Sequence, residues 1–251
     1  MTIEVVRARA LEGVAHGFLG RRGGVSTGAH AGLNVGTGSH DDPLVIAENR
    51  RRATEAVLPR ARLATVFQVH SRDAVIANAP FDERPHADAL VTDRPGLALG
   101  ILTADCAPVL LADREAGVVA AAHAGWKGAL GGVTDSTVAL MESLGAKRER
   151  IVAAVGPCIA RASYEVDESF FRRFAEADPT NERFFAAGRA GHHQFDLEAY
   201  VASRLAAAGV RTVEMMGEDT YAQPERFYSF RRATHARESD YGRQISIIGI
   251  N

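Results

Sequence analysis

The sequence is poor in cysteine and lysine, and each shortage excludes a class of protein. Two cysteines in 251 residues are too few for a scaffold held by disulfides. Lysine occurs only as Lys127 and Lys147, so a Schiff-base mechanism has few candidates. Nearly all of the positive charge is therefore arginine, whose forked donors suit phosphate and carboxylate groups better than lysine does.

An excess of one charge and long apolar runs are also absent. The 29 basic and 31 acidic residues give a net charge of −2, which does not support a nucleic-acid partner. No run reaches about 18 consecutive apolar residues, so we expect no membrane span. Residues 1–20 lack the apolar core of a secretory signal. We therefore expect a cytoplasmic protein.

Apolar periodicity and turn-forming residues predict a mixture of helices and strands. The predicted helices cover residues 43–58, about 128–144, 166–176 and 197–208, and the first has Asp41 or Asp42 as its N-cap and Pro43 at its first position. The predicted strands cover residues 62–70, 74–77, 97–103, 108–112, 117–123, 151–155, 211–216 and 245–250. Because the two kinds of element do not alternate strictly, we expect an α+β (mixed α/β) fold. No linker or repeat divides the chain, so we expect one domain over residues 1–251.

Three side chains of metal-binding types stand at or just past the ends of predicted strands: His70, Cys106 and His123. Loops that follow strands are where a rigid scaffold presents reactive groups. Two imidazoles and a thiolate suit Zn²⁺ with an open fourth position. The same residues would also suit a dyad in which Cys106 is the nucleophile and His123 is the base. Spacing alone does not separate these two hypotheses from a structural role.

The residues around these side chains disfavour two classes of metalloenzyme. Zinc nucleobase deaminases of the base-editing type carry H-x-E and P-C-x-x-C motifs. Here Ser71 and Arg72 follow His70, and Ala-Pro-Val follows Cys106. Multi-copper oxidases typically use His-x-His pairs, and the nine histidines of this chain include no such pair.

A series of motifs runs from about Gly17 to the C-terminus. They are RRGGVS (21–26), GLNVG (32–36), ENR (48–50), QVH (68–70), ADA (87–89), TADCAPV (103–109), AAHAGWKG (121–128), GPCI (156–159) and YSFRR (228–232). The pairing of TADC-x-PV with AAHAGW-[KR]-G is highly specific. With these motifs the chain resembles the YfiH/DUF152 family. That family was historically labelled a laccase domain or multicopper polyphenol oxidoreductase, and is now described as purine nucleoside phosphorylases and adenosine deaminases.

The resemblance implies a fold, a metal site and a chemistry. The fold would consist of two packed mixed β-sheets covered by helices, related to a toxin-type cysteine hydrolase fold. The zinc ligands would be His70, Cys106 and His123. The activities would be phosphorolysis of adenosine, inosine and methylthioadenosine, which yields the base and a ribose 1-phosphate, and deamination of adenosine. Copper remains an alternative metal, because Cu²⁺ outcompetes Zn²⁺ at such donors.

Other functions stay open beside this one. The family's label as a peptidoglycan editing factor would fit a Cys–His amidohydrolase that trims wrong precursors. The laccase label would fit a copper-dependent polyphenol oxidase, and a non-catalytic metal-binding or partner protein is a further alternative. We expect a monomer or small homo-oligomer, with purine nucleosides and phosphate as partners.

Three polar residues in the motifs are candidates for catalysis or substrate binding. Asp105, beside the expected ligand Cys106, could move a proton, hold a purine ring nitrogen or orient its loop. Gln68 lies two residues before His70 and should share its strand face, where it could bond to substrate. Asn34, in a glycine-rich loop, could position the ribose or form a turn.

Phosphorolysis also requires an anion site beside the ribose C1′ atom. The candidates within the motifs are Arg21, Arg50 and Arg231, since arginine makes bidentate contacts to phosphate. Each could equally lie on an arginine-rich surface. Cys158 follows a Gly-Pro turn, and we expect it to be structural.

Overall fold

The computed structural model describes residues 2–251 and has a mixed α+β fold, as predicted. The α-helices are α1 (Pro43–Val57), α2 (Trp126–Gly131), α3 (Val133–Ser143), α4 (Glu168–Ala177), α5 (Leu197–Ala207) and α6 (Phe230–Ala236). The strands are β1 (Val5–Val6), β2 (Ala15–Leu19), β3 (Arg62–Ala64), β4 (Ala74–Ile76), β5 (Ala89–Thr92), β6 (Leu97–Thr103), β7 (Ala107–Asp113), β8 (Val118–Ala124), β9 (Val152–Val155), β10 (Glu165–Asp167), β11 (Phe185–Ala187), β12 (His192–Phe195), β13 (Thr212–Met215) and β14 (Gln244–Gly249).

The strands form two large mixed sheets and one small antiparallel sheet. The first large sheet has the order β1-β2-β14-β6-β3, and the second has the order β13-β9-β7-β8-β5-β4. In both, most neighbours are antiparallel and the parallel pairs lie at the edges: β3 with β6, β13 with β9, and β4 with β5. The small sheet has the order β10-β12-β11.

The two large sheets pack face to face, and helices cover their outer faces. Leu99 of β6 and Leu110 of β7 belong to the apolar cluster between the sheets. The neighbouring Val109 points the opposite way, into a cluster with Met141 of α3, because side chains alternate along a strand. Val57 of α1 packs on the outer face of the first sheet. Each such buried aliphatic side chain stabilises the fold by roughly 1.5–3 kcal/mol.

Several boundaries follow from local chemistry that the sequence displays. Helix α1 begins at Pro43, and its N-cap Asp42 accepts a hydrogen bond of 2.8 Å from the amide of Leu44. Helix α5 is capped in the same way by Asp196, which accepts from Ala199. The strand predicted over residues 97–103 matches β6. None of the helices within residues 2–251 combines the length and apolar character that crossing a bilayer requires.

The strand predicted over residues 62–70 is wrong beyond Ala64, where β3 ends. Beyond Ala64, hydrogen bonds from the Gln68 side chain replace the backbone pairing with β6. Its Nε2 donates to the carbonyl of Leu102 at 2.7 Å, and its Oε1 accepts from the amide of Leu102 at 2.9 Å. His70 then adopts the left-handed region with φ 61°, which no strand residue does.

Two predicted helices also required correction. The helix predicted over residues 128–144 is interrupted at Gly132, whose φ of 96° separates α2 from α3. The helix predicted over residues 166–176 corresponds to α4, which begins two residues further along, at Glu168. Val166 cannot belong to the helix because it pairs with His193 in the small sheet. That pairing joins distant segments and has no local signal.

Candidate metal and substrate site

The fold brings His70, Cys106 and His123 together. One donor atom from each lies within 4.8 Å of the other two, and Cys106 Sγ is 3.9 Å from His70 Nε2. The two imidazole rings meet edge to face with centroids 4.7 Å apart. Over residues 2–251, this is the one group of three or more His, Cys, Asp or Glu residues that could hold a metal ion.

Two adjacent strands and one loop position these three side chains. His123 is buried near the end of β8, where it pairs with Pro108 of β7. Cys106 is half-buried immediately before β7, at the same end of the sheet. His70 approaches from the loop that follows β3, and it is the most exposed of the three.

A fourth residue, Asp88, holds two of these side chains in place. Its carboxylate is fully buried and accepts hydrogen bonds from the amides of Val69, His70 and Ser71 at 2.6–3.2 Å. It also accepts from His123 Nδ1 at 2.7 Å. Because Nδ1 carries that hydrogen, the Nε2 lone pair of His123 is left for a metal or a proton.

The charges of the group favour a Cys106 thiolate beside a protonated His123, whose proton a metal ion would replace on binding. Burial alone would raise the pKa of the Cys106 thiol, but the nearby His123 and His70 outweigh it and lower this pKa to about 6. Burial would lower the pKa of His123, but Cys106 and Asp88 raise it to about 9. A thiolate is the form of cysteine that binds metal. One thiolate and two imidazole nitrogens are a donor set that fits Zn²⁺.

Two cavities meet at this group. The arginine cavity, of about 330 Å³, is named for Arg84 and Arg243. It is also lined by Gly36, Phe67, Thr103 and Tyr241, and by all three members of the group. The aromatic cavity, of about 360 Å³, is lined by Asp105, Trp126, Lys127, Tyr164, Phe230 and Arg231. His70 and Cys106 line both cavities and therefore stand at their junction.

Asp105 and Arg231 both line the aromatic cavity. Asp105 has φ 86°, and its carboxylate accepts from the Thr220 hydroxyl at 2.7 Å and from the Arg231 amide at 2.6 Å. These bonds join the loop before β7 to the segment after β13 and to the start of α6. The Arg231 guanidinium donates to the carbonyl of Glu165 at 2.8 Å and lies over the Tyr164 ring.

Arg21 and Arg50 line neither cavity. The guanidinium of Arg21 donates to the carbonyls of Ala31 and Pro224. Arg50 lies behind the arginine cavity, where it donates to the Thr65 hydroxyl at 2.7 Å. Gln68 does line the arginine cavity, but its amide is taken up by the pairing with Leu102 described above.

Asn34 is fully buried and organises a loop at the arginine cavity. Its Oδ1 accepts from the amides of Gly36 at 3.1 Å and Arg243 at 3.0 Å. Its Nδ2 donates to the side chains of Ser39 and Asp41. All the hydrogen-bonding groups of the Asn34 side chain are thus engaged within the protein.

Three residues of the site, Asp88, Arg84 and Arg243, were not predicted from the sequence. Asp88 stands within the ADA motif (87–89), but its contacts reach 18 and 35 residues along the chain to His70 and His123. Arg84 and Arg243 had no local pattern that set them apart from the many other arginines. Arg243 also lies beyond the last of the motifs quoted above, which ends at Arg232.

The fold and the site define a mixed α+β protein with a His–Cys–His group at the junction of two cavities. Residues 15–251 match the family model described as multi-copper polyphenol oxidoreductase laccase. The chain belongs to this laccase-like DUF152/YfiH family.

Relatives and solved structures agree with that assignment. A purine nucleoside phosphorylase of Deinococcus radiodurans is 44% identical over 240 residues, covering 94% of this chain and 89% of that protein. One of Streptomyces coelicolor is 38% identical over 234 residues, covering 92% and 96%. A DUF152 protein of Neisseria meningitidis superposes with a TM-score of 0.90 at 33% identity over 100% of both chains. The YfiH protein of Bacillus licheniformis gives 0.90 at 25% identity, covering 100% and 97%.

Proposed function

We propose that this protein is a zinc-dependent purine nucleoside enzyme. It cleaves adenosine, inosine and methylthioadenosine with phosphate, and it deaminates adenosine to inosine. The observation that carries the proposal is the position of His70 and Cys106 at the junction of two cavities, one cationic and one aromatic. The names of the relatives point to the same chemistry.

The two reactions set different demands on the site. Phosphorolysis breaks the C1′–N9 bond and forms a bond between C1′ and a phosphate oxygen. The electron pair of the broken bond stays on the base, which takes up a proton. Deamination consumes water, replaces the C6 amino group with oxygen and releases ammonia. A site for both must therefore hold a purine base, a ribose and an anion close to one polar centre.

His70, Cys106 and His123 would hold the metal, and Asp88 would orient His123 toward it. When bound, Zn²⁺ supplies a Lewis acid and lowers the pKa of water at its open position to about 7. The protein's own contribution is to fix the donors before metal arrives, because Asp88 also anchors the backbone around His70.

The aromatic cavity is the proposed site of the purine base. Trp126, Tyr164 and Phe230 offer ring surfaces that suit a flat aromatic ligand. Phe230 is 52% exposed, and a base against it would remove apolar surface from water. Arg231 would contact the base or the ribose from the same wall. The Asp105 carboxylate would position the loop that carries Cys106 through its bonds to Thr220 and the Arg231 amide.

A metal analysis and an activity assay test the proposal together. Protein purified without added metal should contain about one zinc per chain. With adenosine alone it should release ammonia, and with adenosine and phosphate it should also release adenine and ribose 1-phosphate. Protein that contains zinc but forms neither product from adenosine, inosine or methylthioadenosine would contradict the proposal.

A second candidate function rests on the same residues without metal. The arrangement resembles a catalytic triad, in which Cys106 would be the nucleophile and His123 the base. Asp88 would be the carboxylate that orients the base. This arrangement would suit a hydrolase that acts on amide bonds, such as those of peptidoglycan precursors. Fast alkylation of Cys106 in protein as purified, unaffected by added zinc, would favour the hydrolase. Slow alkylation that a chelator accelerates would favour the metalloenzyme.

The family's laccase label has less support from the residues. A multi-copper oxidase needs separate copper centres, and within residues 2–251 a single three-residue group is suited to a metal. Copper could occupy that one group, but the trinuclear centre has no ligands in the described part of the chain.

A further inference from the structure

The His16 side chain is buried in the first large sheet, with 2% of the residue exposed. It lies on β2, where its backbone pairs with Ile248 of β14. Each ring nitrogen has one backbone partner. Nδ1 lies 2.8 Å from the carbonyl oxygen of Val14, and Nε2 lies 2.9 Å from the amide nitrogen of Ala8.

These two partners determine which nitrogen of the His16 ring carries the hydrogen. A carbonyl oxygen only accepts, so Nδ1 must donate to Val14, and a backbone amide only donates, so Nε2 must accept from Ala8. The ring is therefore neutral in the folded chain, with its hydrogen on Nδ1. Protonation of Nε2 would place one N–H group against another, and the hydrogen bond from Ala8 would be lost.

The bond from Ala8 holds a short segment against the sheets, residues 7–14, which we name the N-terminal strap. Ala8 and Leu11 of the strap are buried and belong to the apolar cluster between the two large sheets. The Ala10 amide donates to the Glu214 side chain of β13 at 2.7 Å. The strap therefore joins the first sheet, through His16, to the edge of the second sheet.

The surroundings of the His16 ring make its protonation costly. Burial lowers the pKa of the ring below the ordinary 6.5, and the positive charge of Arg7 adds to this effect. The Val14 carbonyl and the Glu214 carboxylate act in the opposite direction without outweighing it. Arg7 is held beside the ring by a 2.6 Å hydrogen bond to the His16 carbonyl, and Arg114 donates to a strap carbonyl at 2.8 Å.

We propose that His16 is an acid-sensitive clasp, whose protonation releases the N-terminal strap from the two sheets. Proton uptake at Nε2 breaks the bond to the Ala8 amide and leaves a charge in an apolar setting, and opening of the strap returns that charge to water. Because folding lowers the pKa of the ring, the clasp is fully effective above pH 6.5 and weakens as the pH falls below that value. The open strap exposes the apolar surface of Ala8 and Leu11.

The clasp and the candidate metal site lie toward opposite ends of the first sheet. Strand β14 pairs with β6 so that Ile248 faces Leu99 and Gln244 faces Thr103. Ile248 is also the partner of His16, whereas Thr103 lines the arginine cavity. We therefore expect the metal group to stay in place when the strap opens, and this inference does not depend on the proposed function.

Nitrogen-15 NMR of the histidine rings tests the geometry that the clasp requires. At pH 7.5 the His16 ring should carry its hydrogen on Nδ1, the reverse of the tautomer that free histidine prefers. Acidification should protonate Nε2 at a pH below 6.5. A His16 ring with its hydrogen on Nε2 at pH 7.5 would overturn the inference.

Hydrogen exchange of the strap amides, corrected for the intrinsic effect of pH on exchange, tests the release. Protection of the Ala8 amide should fall several-fold between pH 7.5 and 5.5, within the limit of about tenfold per pH unit that one proton allows. The amides of β14, in the middle of the first sheet, should keep their protection. Constant protection of Ala8 over this range would contradict the release.

Two substitutions separate the proton from the hydrogen bond. His16→Gln keeps a side-chain oxygen for the Ala8 amide but cannot titrate, so protection of the strap should no longer depend on pH. His16→Asn keeps a donor for the Val14 carbonyl and loses the acceptor for Ala8, so the strap should be open at both pH values. His235→Gln, at an exposed histidine of α6, is the control and should behave as wild type does.

The comparison of wild type with His16→Gln decides the outcome, whether or not His16→Asn is stable. PH-dependent protection in wild type that disappears in His16→Gln and persists in His235→Gln is the expected result. If the same pH dependence persists in His16→Gln, another group controls the strap and the inference fails.

Discussion

The Asp88 carboxylate accepts a 2.7 Å hydrogen bond from His123 Nδ1, and both side chains are buried. The same carboxylate binds three consecutive amides around His70. One aspartate therefore orients a candidate ligand on β8 and shapes the loop that carries another. The geometry of the candidate metal site depends on these four hydrogen bonds of Asp88.

Replacing Asp88 tests that dependence. Asp88→Asn should weaken zinc binding about 10–100-fold, because an amide cannot accept all four hydrogen bonds and places its own N–H groups against donors. Zinc affinity can be measured by competition with a chromogenic chelator. Asp73→Asn is the matched control, since Asp73 is an exposed carboxylate of the same loop. Equal zinc affinity in Asp88→Asn and wild type would show that Asp88 does not support the metal.

Gly125 tests how tightly the site is packed. A Cβ atom at this position would lie 2.8 Å from His70 Cδ2 and 3.0 Å from Cys106 Sγ. The backbone there has φ −67°, which any residue adopts, so the effect of a substitution is steric. Gly125→Ala should displace the two ligands and weaken zinc binding by about tenfold or more, since metal sites tolerate little displacement.

The control for Gly125→Ala is Gly131→Ala, six residues further along the chain. A Cβ atom on Gly131 would have Arg72 Cβ as its nearest neighbour at 3.7 Å, an ordinary contact. Gly131→Ala should stabilise helix α2 by roughly 0.5–1 kcal/mol and leave zinc binding intact. Tight zinc binding by Gly125→Ala would mean that the donors can move apart at no cost.

Asp240 makes the stability of the fold depend on pH in the acid range. Burial opposes ionisation, but the His40 and Tyr241 amides and the His30 ring donate to the carboxylate and lower its pKa to about 2. A folded-state pKa below the ordinary 3.8 means that this contribution is present above pH 3.8 and is lost as the pH falls toward 2. We expect it to be on the order of 1–2 kcal/mol.

Chemical unfolding at several pH values measures this contribution. The gap in unfolding free energy between wild type and Asp240→Asn should be largest near pH 6 and should close near pH 2. Asp82→Asn, at an exposed aspartate, should show little gap at any pH. A gap for Asp240→Asn that stays constant across this range would contradict the assignment.

Local chemistry made much of the fold predictable from the sequence. The Asp42 cap and Pro43 mark the start of α1, and apolar runs mark the central strands of both large sheets. Strands β1, β2, β5, β10, β11 and β12 and helix α6 were not predicted. Some of these strands have partners far along the chain, as where β2 pairs with β14, so their own sequences do not define them.

The site was predictable to the extent that it depends on residue type. The prediction that His70, Cys106 and His123 converge is consistent with the structure, because each follows or ends a strand at one end of the fold. The sequence did not distinguish the arginines that line a cavity from the others, because that depends on the side chains that surround each guanidinium in the folded chain. Arg50 has Thr65 as its partner, and Arg84 faces a cavity that only the folded chain creates.

The metal content and activity of Cys106→Ala test the central claim most directly. Cys106→Ala should lose the bound zinc and both nucleoside reactions, because the site then lacks its thiolate ligand. Cys158→Ala removes a buried thiol outside the group and should keep about one zinc per chain and the reactions. Thermal unfolding of both variants would check that each is folded. Folded Cys106→Ala that retains full phosphorolysis and deamination without zinc would contradict the account.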